Sequence, residues 1–133
     1  MKIFLLIITL FSLIQTCQAD SFSSTGRQSS DQAIFLLNNP DLREQYIRQS
    51  AQMHEADQKL RDLAGSQATS ENIYSLAAEI FADLIIRTQG DPDTMLQLLQ
   101  EAQQNPEAFA YQLTDEQKRR LSELAKQIQS NRQ

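Results

Sequence analysis

Residues 70–89 read SENIYSLAAEIFADLIIRTQ, and this stretch determines how the rest of the chain must pack. Its apolar residues recur at three- and four-residue steps, the spacing that places side chains on one face of an α-helix. A helix that is apolar over so much of its circumference belongs in the middle of a helical bundle. The face consists of Ile73, Leu76, Ala77, Ile80, Phe81, Leu84 and Ile85, and it is widened by Tyr74, Ala78 and Ile86.

Signals for the start and end of helices surround this stretch on both sides. Three times, an Asn or Asp precedes a Pro and an acid. The first residue can cap a helix, the Pro suits the first helical position, and the acid lies at the positive end of the helix dipole. A capping box marks a fourth start, and two glycines stand where helices would end in a left-handed residue. These signals are residues 39–41, 91–93, 105–107 and 114–117, with Gly65 and Gly90.

Together these signals predict an all-α fold, a compact bundle of five to six short antiparallel helices. Short connections between helices favour antiparallel neighbours. No stretch alternates apolar and polar residues as a strand would, and the sequence contains no Val. The predicted helices cover residues 30–38, 40–64, 70–89, 92–104, 106–112 (a short turn) and 115–130.

Residues 36–43, LLNNPDLR, resemble the Leu-Asn-Asn-Pro-Glu-Leu phrase in the short helical repeats of ubiquilin-like and heat-shock-organising co-chaperones. In those families the phrase begins a small helical cradle that holds apolar peptide segments. The resemblance covers only this phrase, and helix capping alone produces the same residues. It implies a helical bundle with a shallow cup or groove. Those co-chaperones work in the cytosol, whereas this chain is expected to be exported.

The first 19 residues have the features of a cleaved signal peptide: Lys2, an apolar run over residues 3–14, and a small-residue site ending at Ala19. As a helix the run would cover about 18 Å, too short for a bilayer core of about 30 Å. An uncleaved anchor and a lipoprotein acylated at Cys17 are the alternatives. We therefore expect an exported protein, periplasmic or secreted, with a flexible Ser-rich leader over residues 20–30, one helical domain over residues 31–130 and a disordered tail over residues 131–133.

The composition excludes several kinds of chemistry. The chain has one Cys, which lies in the predicted signal peptide, one His and three unclustered Gly. A disulfide framework, a thiolate metal site and a phosphate-binding glycine loop are therefore excluded from the mature chain. His54 is predicted to be a surface residue, and Glu79 and Asp83, one turn apart, are predicted to face water. We expect no enzyme activity, no metal and no cofactor.

Charge is unevenly distributed along the chain, whose formal net charge is −5. Residues 71–116 contain nine acids and a single base, Arg87, whereas residues 117–133 contain five bases and a single acid, Glu123. The acidic middle would repel phosphate-rich surfaces, so nucleic-acid binding is not expected.

The basic residues Lys118, Arg119 and Arg120 allow two interpretations. They can pack across the acidic helices and form four-residue pairs, Arg119 with Glu123 and Glu116 with Arg120. Alternatively, they form a surface patch for lipid phosphates or for an acidic protein partner.

A second candidate site is an adaptable apolar groove between helices. The alternative is that the same side chains belong to the hydrophobic core, because their spacing is that of a buried helix face. Phe109 and Tyr111 are two residues apart and point in different directions on a helix, so one is expected to be buried and the other exposed. The candidate groove residues are Met53, Phe81, Met95, Phe109 and Tyr111.

From these features we expect a small exported helical interaction protein, monomeric or weakly dimeric, that binds a protein or an anionic lipid. An effector delivered by a bacterial secretion system is one form of this role. The alternative is a periplasmic or extracellular carrier or chaperone that holds an apolar ligand in a helical cup.

Overall fold

The computed structural model describes the backbone of residues 26–133 and the side chains of residues 31–133. Over residues 26–133 the chain forms seven α-helices and no β-strand, which confirms the all-α prediction. The predicted signal peptide and residues 20–25 lie outside the described residues, while residues 26–30 form the start of the first helix. The helices are α1 (Gly26–Asn38), α2 (Pro40–Gln49), α3 (Ala51–Ala64), α4 (Gln67–Arg87), α5 (Pro92–Gln104), α6 (Pro106–Gln112) and α7 (Asp115–Asn131).

The predicted helix starts at the Asn/Asp-Pro sequences are confirmed. Asn39 Oδ1 accepts a hydrogen bond from the backbone N–H of Leu42 at 3.3 Å, and Asp91 and Asn105 cap α5 and α6 in the same way. The capping box is also present, because Thr114 and Gln117 each bond the other's backbone N–H. Side chains that are local in sequence thus satisfy backbone donors that would otherwise lack a partner.

The prediction of a single helix over residues 40–64 is wrong, because the helix is interrupted at Ser50. This residue is extended (φ −131°, ψ 119°), so it ends α2 and begins α3. Its N–H bonds to Ile47 O at 3.3 Å, and its Oγ accepts from Met53 N at 3.4 Å. The break accounts for the difference between the six predicted helices and the seven observed ones.

Other boundaries differ by a few residues from the prediction. α4 begins at Gln67, earlier than the predicted residue 70, because Ser66 caps it by accepting from Thr69 N at 3.1 Å. It ends at Arg87 rather than Gln89, since Gln89 and Gly90 adopt left-handed backbone with φ of 53° and 74°. α1 begins at residue 26 rather than 30, and α7 continues to residue 131.

α4 is the central helix, as its sequence predicts, and it packs against α1, α3 and α7. Its apolar face is buried over most of its length, and Ile73 and Leu76 are almost completely inaccessible. The assignment of Ile86 to that face is wrong: its side chain is 75% exposed. Leu84 and Thr88, two residues before and after it, are buried, so Ile86 points away from the buried side of the helix.

α4 and α7 are antiparallel. Arg120, near the start of α7, contacts Glu79 in the middle of α4, whereas Asn131, at the end of α7, donates to Thr69 Oγ1 in the first turn of α4 at 3.2 Å. At the other end, Arg87 Nη2 donates to Gln112 O at 2.8 Å. The C-terminal ends of α4 and α6 and the N-terminal end of α7 therefore meet at one end of the molecule.

No helix within residues 26–133 has both the length and the apolar character needed to cross a bilayer.

Candidate binding surface

The three basic candidates of α7 all contact carboxylates. Lys118 Nζ lies 3.8 Å from Asp115 Oδ1. Arg119 contacts Glu116 and also donates to Glu123 Oε1 at 2.6 Å, which is the predicted pair. The pKa of the Glu116 carboxyl lies below its usual value because Arg119 donates to it.

Arg120 points across to α4 and not along its own helix. Its guanidinium contacts the Glu79 carboxylate, and Nη2 lies 3.4 Å from Ser75 Oγ. The predicted pairing of Arg120 with Glu116 does not form, since Glu116 is paired with Arg119. Each positive charge of the triad is thus matched by a carboxylate within the protein, and the arrangement connects α7 to the acidic face of α4.

The five groove candidates do not lie together on a surface. Phe109 is buried and Tyr111 is 82% exposed, as the two-residue spacing predicts for a helix as short as α6. Most of the buried apolar side chains pack in the interior. The four buried candidates are Met53, Phe81, Met95 and Phe109.

A shallow pocket of about 240 Å³ lies between α5 and α6. It is smaller than the usual range of small-molecule sites, about 300–1,000 Å³, and its lining mixes acidic and amide side chains with apolar ones. Its size does not favour a large apolar ligand. The lining residues are Glu101, Ala102, Gln104, Asn105, Ala108, Phe109 and Gln112.

The acids and the histidine that could support chemistry have ordinary surroundings. Glu79 contacts Arg120, and Asp83 Oδ2 lies 2.7 Å from Arg87 Nη2. His54 is exposed, and the nearby Ser50 Oγ serves as a helix cap. Among the described side chains, no group of three or more His, Cys, Asp or Glu is placed to bind a metal ion.

A polar cluster centred on the buried side chains of Arg43, Asp57 and Tyr74 joins the first four helices, and it was not among the sequence predictions. We call it the Arg43 cluster: Arg43, Asp57, Arg61, Glu71 and Tyr74. Arg43 is 4% exposed; it donates to the backbone carbonyl at the end of α1 at 2.7 Å, contacts Glu71, and lies over the Tyr74 ring at 3.8 Å from its centroid. The Arg43 guanidinium thus makes a cation–π contact with the Tyr74 ring, and the Glu71 carboxylate largely neutralises its charge.

The second half of the Arg43 cluster is centred on Asp57. Tyr74 Oη donates to Asp57 Oδ1 at 2.6 Å, and Arg61 Nε donates to Asp57 Oδ2 at 2.7 Å. Burial raises the pKa of the Tyr74 hydroxyl well above its usual value, and the hydrogen bond to Asp57 adds to this. The protonated Tyr74 is therefore a structural donor, and the cluster holds the first four helices together.

One sequence signal could have found the Arg43 cluster. Asp57 stands at the helical spacing of Met53 and Leu60, on the face of α3 that is buried, and Arg43 is one turn before the buried Ile47. A charged residue on a buried face must have a partner, because an unpaired buried charge is very costly.

No protein-family model, curated protein or solved structure matches the chain.

Among the side chains of residues 31–133, large exposed apolar ones are few and lie on four helices. Ile86 and Tyr111 are the most exposed of them, and they are the chain neighbours of Arg87 and Gln112, whose hydrogen bond links α4 to α6. Phe35 on α1 and Leu96 on α5 are less exposed, at 59% and 46%. Exposed large apolar groups that occur side by side mark interaction surfaces more often than isolated ones do.

Proposed function

We propose that the protein is a small exported interaction protein, periplasmic or secreted, that acts by binding a protein partner. The observation that carries the proposal is the exposure of Ile86 and Tyr111, which at 75% and 82% are the most exposed large apolar side chains within residues 31–133. Aromatic residues such as Tyr are enriched in protein interfaces, because they bury a large area at a small cost in side-chain entropy.

Two other partners fit the described surface less well. An anionic lipid would need the charges of Lys118, Arg119 and Arg120, which already contact carboxylates within the protein. An apolar ligand would need an open cup, but four of the five candidate groove side chains are in the interior. A protein partner needs neither of these features.

The test is to fractionate cells that express the protein and to follow its elution on a sizing column. We expect the protein to be in the exported fraction without residues 1–19, and to elute there at a larger mass than the purified protein does alone. An intracellular location would contradict the export part of the proposal. Exported material that elutes like the purified protein, at native concentration and low salt, would contradict the partner part.

The carrier alternative is tested on the same exported material. We expect no lipid or other apolar ligand to copurify, as judged by mass spectrometry, and little enhancement of the fluorescence of the dye ANS. A bound lipid released on unfolding would favour the carrier and contradict our proposal.

A further inference from the structure

Ile86, at the C-terminal end of α4, and Glu107 and Tyr111, on α6, are all exposed, and we call these three residues the end surface. Arg87 and Gln112, the chain neighbours of Ile86 and Tyr111, share a 2.8 Å hydrogen bond, so α4 and α6 are held next to each other at this point. Glu107 precedes Tyr111 by one turn of α6, which places both on the same face of that helix. Both are exposed, as is Ile86. The end surface thus contains one acidic side chain and two apolar ones.

The charge around the end surface is negative. Three acids at this end of the molecule have cationic partners: Asp83 lies 2.7 Å from Arg87, Asp115 lies 3.8 Å from Lys118, and Glu116 contacts Arg119. Three further acids, at the starts of α5 and α6, make no ion pair with any described residue, and all three are exposed. These are Asp91, Asp93 and Glu107. The described surface here therefore carries an excess of negative charge that the protein itself does not neutralise.

The negative charge of this surface favours a positively charged partner. A second copy bound through the same end would bring the two sets of unpaired acids together, and like charges across an interface are costly. Anionic lipids and nucleic acids would be repelled for the same reason. A segment with Lys or Arg beside apolar residues would satisfy both the carboxylates and the exposed apolar side chains.

We propose that the end surface binds a cationic amphipathic segment of a protein partner. The inference rests on the proposed function, and it adds the site and the chemistry of the partner. An apolar side chain of the segment would lie against Ile86, and a Lys or Arg would lie over the Tyr111 ring. Such a cation is attracted by the face of an aromatic ring. It would also be within reach of Glu107, one turn away on the same helix.

A first experiment tests the chemistry of the partner with a defined probe. The probe is a labelled synthetic helix with leucines on one face and lysines on the other, and its control has glutamate at each lysine position. We expect fluorescence anisotropy to show binding of the lysine peptide, weakened by added salt, and no binding of the glutamate peptide. Equal binding of both peptides, or no binding of the lysine peptide, would overturn the proposal.

A second experiment locates the binding site with matched variants. We expect Tyr111→Ser and Glu107→Lys each to weaken binding of the lysine peptide by about tenfold, the size of a modest interface hot spot. The controls are Phe35→Ser, an exposed apolar residue of α1, and Asp62→Lys, which makes the same charge change on α3. They should alter the affinity less than about twofold, since neither residue lies at this end. Equal effects of Glu107→Lys and Asp62→Lys would overturn the proposal, because attraction would then depend on net charge alone.

A third experiment separates failure of this inference from failure of the proposed function. A photo-crosslinking amino acid is placed at residue 111, or at residue 35 as the control, and cells are irradiated. We expect a protein adduct from position 111 with a Lys- or Arg-containing segment of the partner, mapped by mass spectrometry. An adduct from position 35 alone, or with a second copy of the chain, would overturn the inference. The proposed function would stand in the first case, whereas failure of the protein to elute with any partner would overturn both.

Discussion

The two ends of α4 differ in how many of the polar and apolar groups around them have partners within the protein. At the N-terminal end, Glu71 and Tyr74 have partners within the protein, in the Arg43 cluster, and Thr69 accepts a hydrogen bond from Asn131. At the C-terminal end, Ile86 is open to solvent, and the acids that begin α5 and α6 make no ion pairs with described residues. The polar groups at the N-terminal end are thus bonded within the protein, whereas Ile86 and several carboxylates at the C-terminal end face solvent.

The difference predicts that substitutions at the N-terminal end of α4 affect mainly stability, whereas substitutions at its C-terminal end affect mainly binding. Removing one partner of a buried polar network leaves another group unsatisfied, so the cost falls on folding. Changing an exposed residue with no internal partner costs little stability, so any effect falls on interactions with other molecules. Four variants, the last of them a double substitution, test this contrast, from the largest expected effect on stability to the smallest.

Arg43→Ala should cost the most, about 3–5 kcal/mol of unfolding free energy, because it leaves a buried carbonyl and a carboxylate without their donor. Urea denaturation followed by circular dichroism measures this loss. The control is Arg48→Ala, on the same helix, whose side chain is 77% exposed and pairs only with Glu44. It should cost no more than about 0.5 kcal/mol. Similar losses for the two variants would show that the Arg43 cluster does not hold the fold together.

Gly65→Ala should destabilise the protein by about 2 kcal/mol, because the left-handed backbone would be strained and the new methyl group would also crowd Asn131. Gly65 has a φ of 73°, and an added Cβ would be 2.8 Å from Asn131 Cβ. Gly90→Ala is the matched control: its φ is 74°, but it does not involve Asn131, so only the strain of about 1 kcal/mol is expected. Thermal unfolding of the two variants gives the comparison. A larger loss for Gly90→Ala would contradict the close approach of Asn131.

Tyr74→Phe should cost about 1–1.5 kcal/mol at neutral pH, because Asp57 loses a hydrogen bond but keeps Arg61. The loss should depend on pH. The pKa of Tyr74 is raised in the folded protein, so the folded state favours the protonated hydroxyl. Its contribution is fully present below the unfolded pKa of about 10 and is lost as pH rises above that value. The stabilities of the two proteins should therefore converge above pH of about 10 in urea titrations. A difference that grows with pH would contradict this assignment.

Ile86→Ser combined with Tyr111→Ser should change stability the least, by about 0.5 kcal/mol or less, as is usual for surface positions. Chemical denaturation of the double variant checks this. The same protein should lose binding of the lysine peptide, so that folding and binding respond to different ends of α4. A large loss of stability would show that these side chains support the fold, and that their exposure has no role in recognition.

Features decided by neighbouring residues could be predicted from the sequence. Asn39, Asp91 and Asn105 cap helices because the groups they bond are three residues away, and no distant contact is needed. The central position of α4 follows equally directly, because its wide apolar face has to be covered on several sides. The exposure of one aromatic of α6 and the burial of the other follow from helical geometry alone.

Features decided by distant contacts could not be predicted. Nothing in the sequence around Ser50 interrupts a helix, since neither Gly nor Pro is present there. Helical spacing places Arg43 and Asp57 on buried faces, but only the fold shows that their partners are Glu71 and Tyr74, 28 and 17 residues away in the chain. Arg120 likewise pairs with Glu79 on another helix and not with the nearest acid of its own. The end surface exists only because α6 returns to the C-terminal end of α4.

The side chain of Asn131 also bears on the order in which the chain folds. Its Nδ2 donates to Ala64 O at 2.8 Å, across 67 residues, and so completes the turn between α3 and α4. A chain that emerges from the ribosome or a translocation channel from its N-terminus can form α1 to α4 early, but that turn stays incomplete until residue 131 is free. The N-terminal end of α4 therefore reaches its final stability only when α7 has emerged in full.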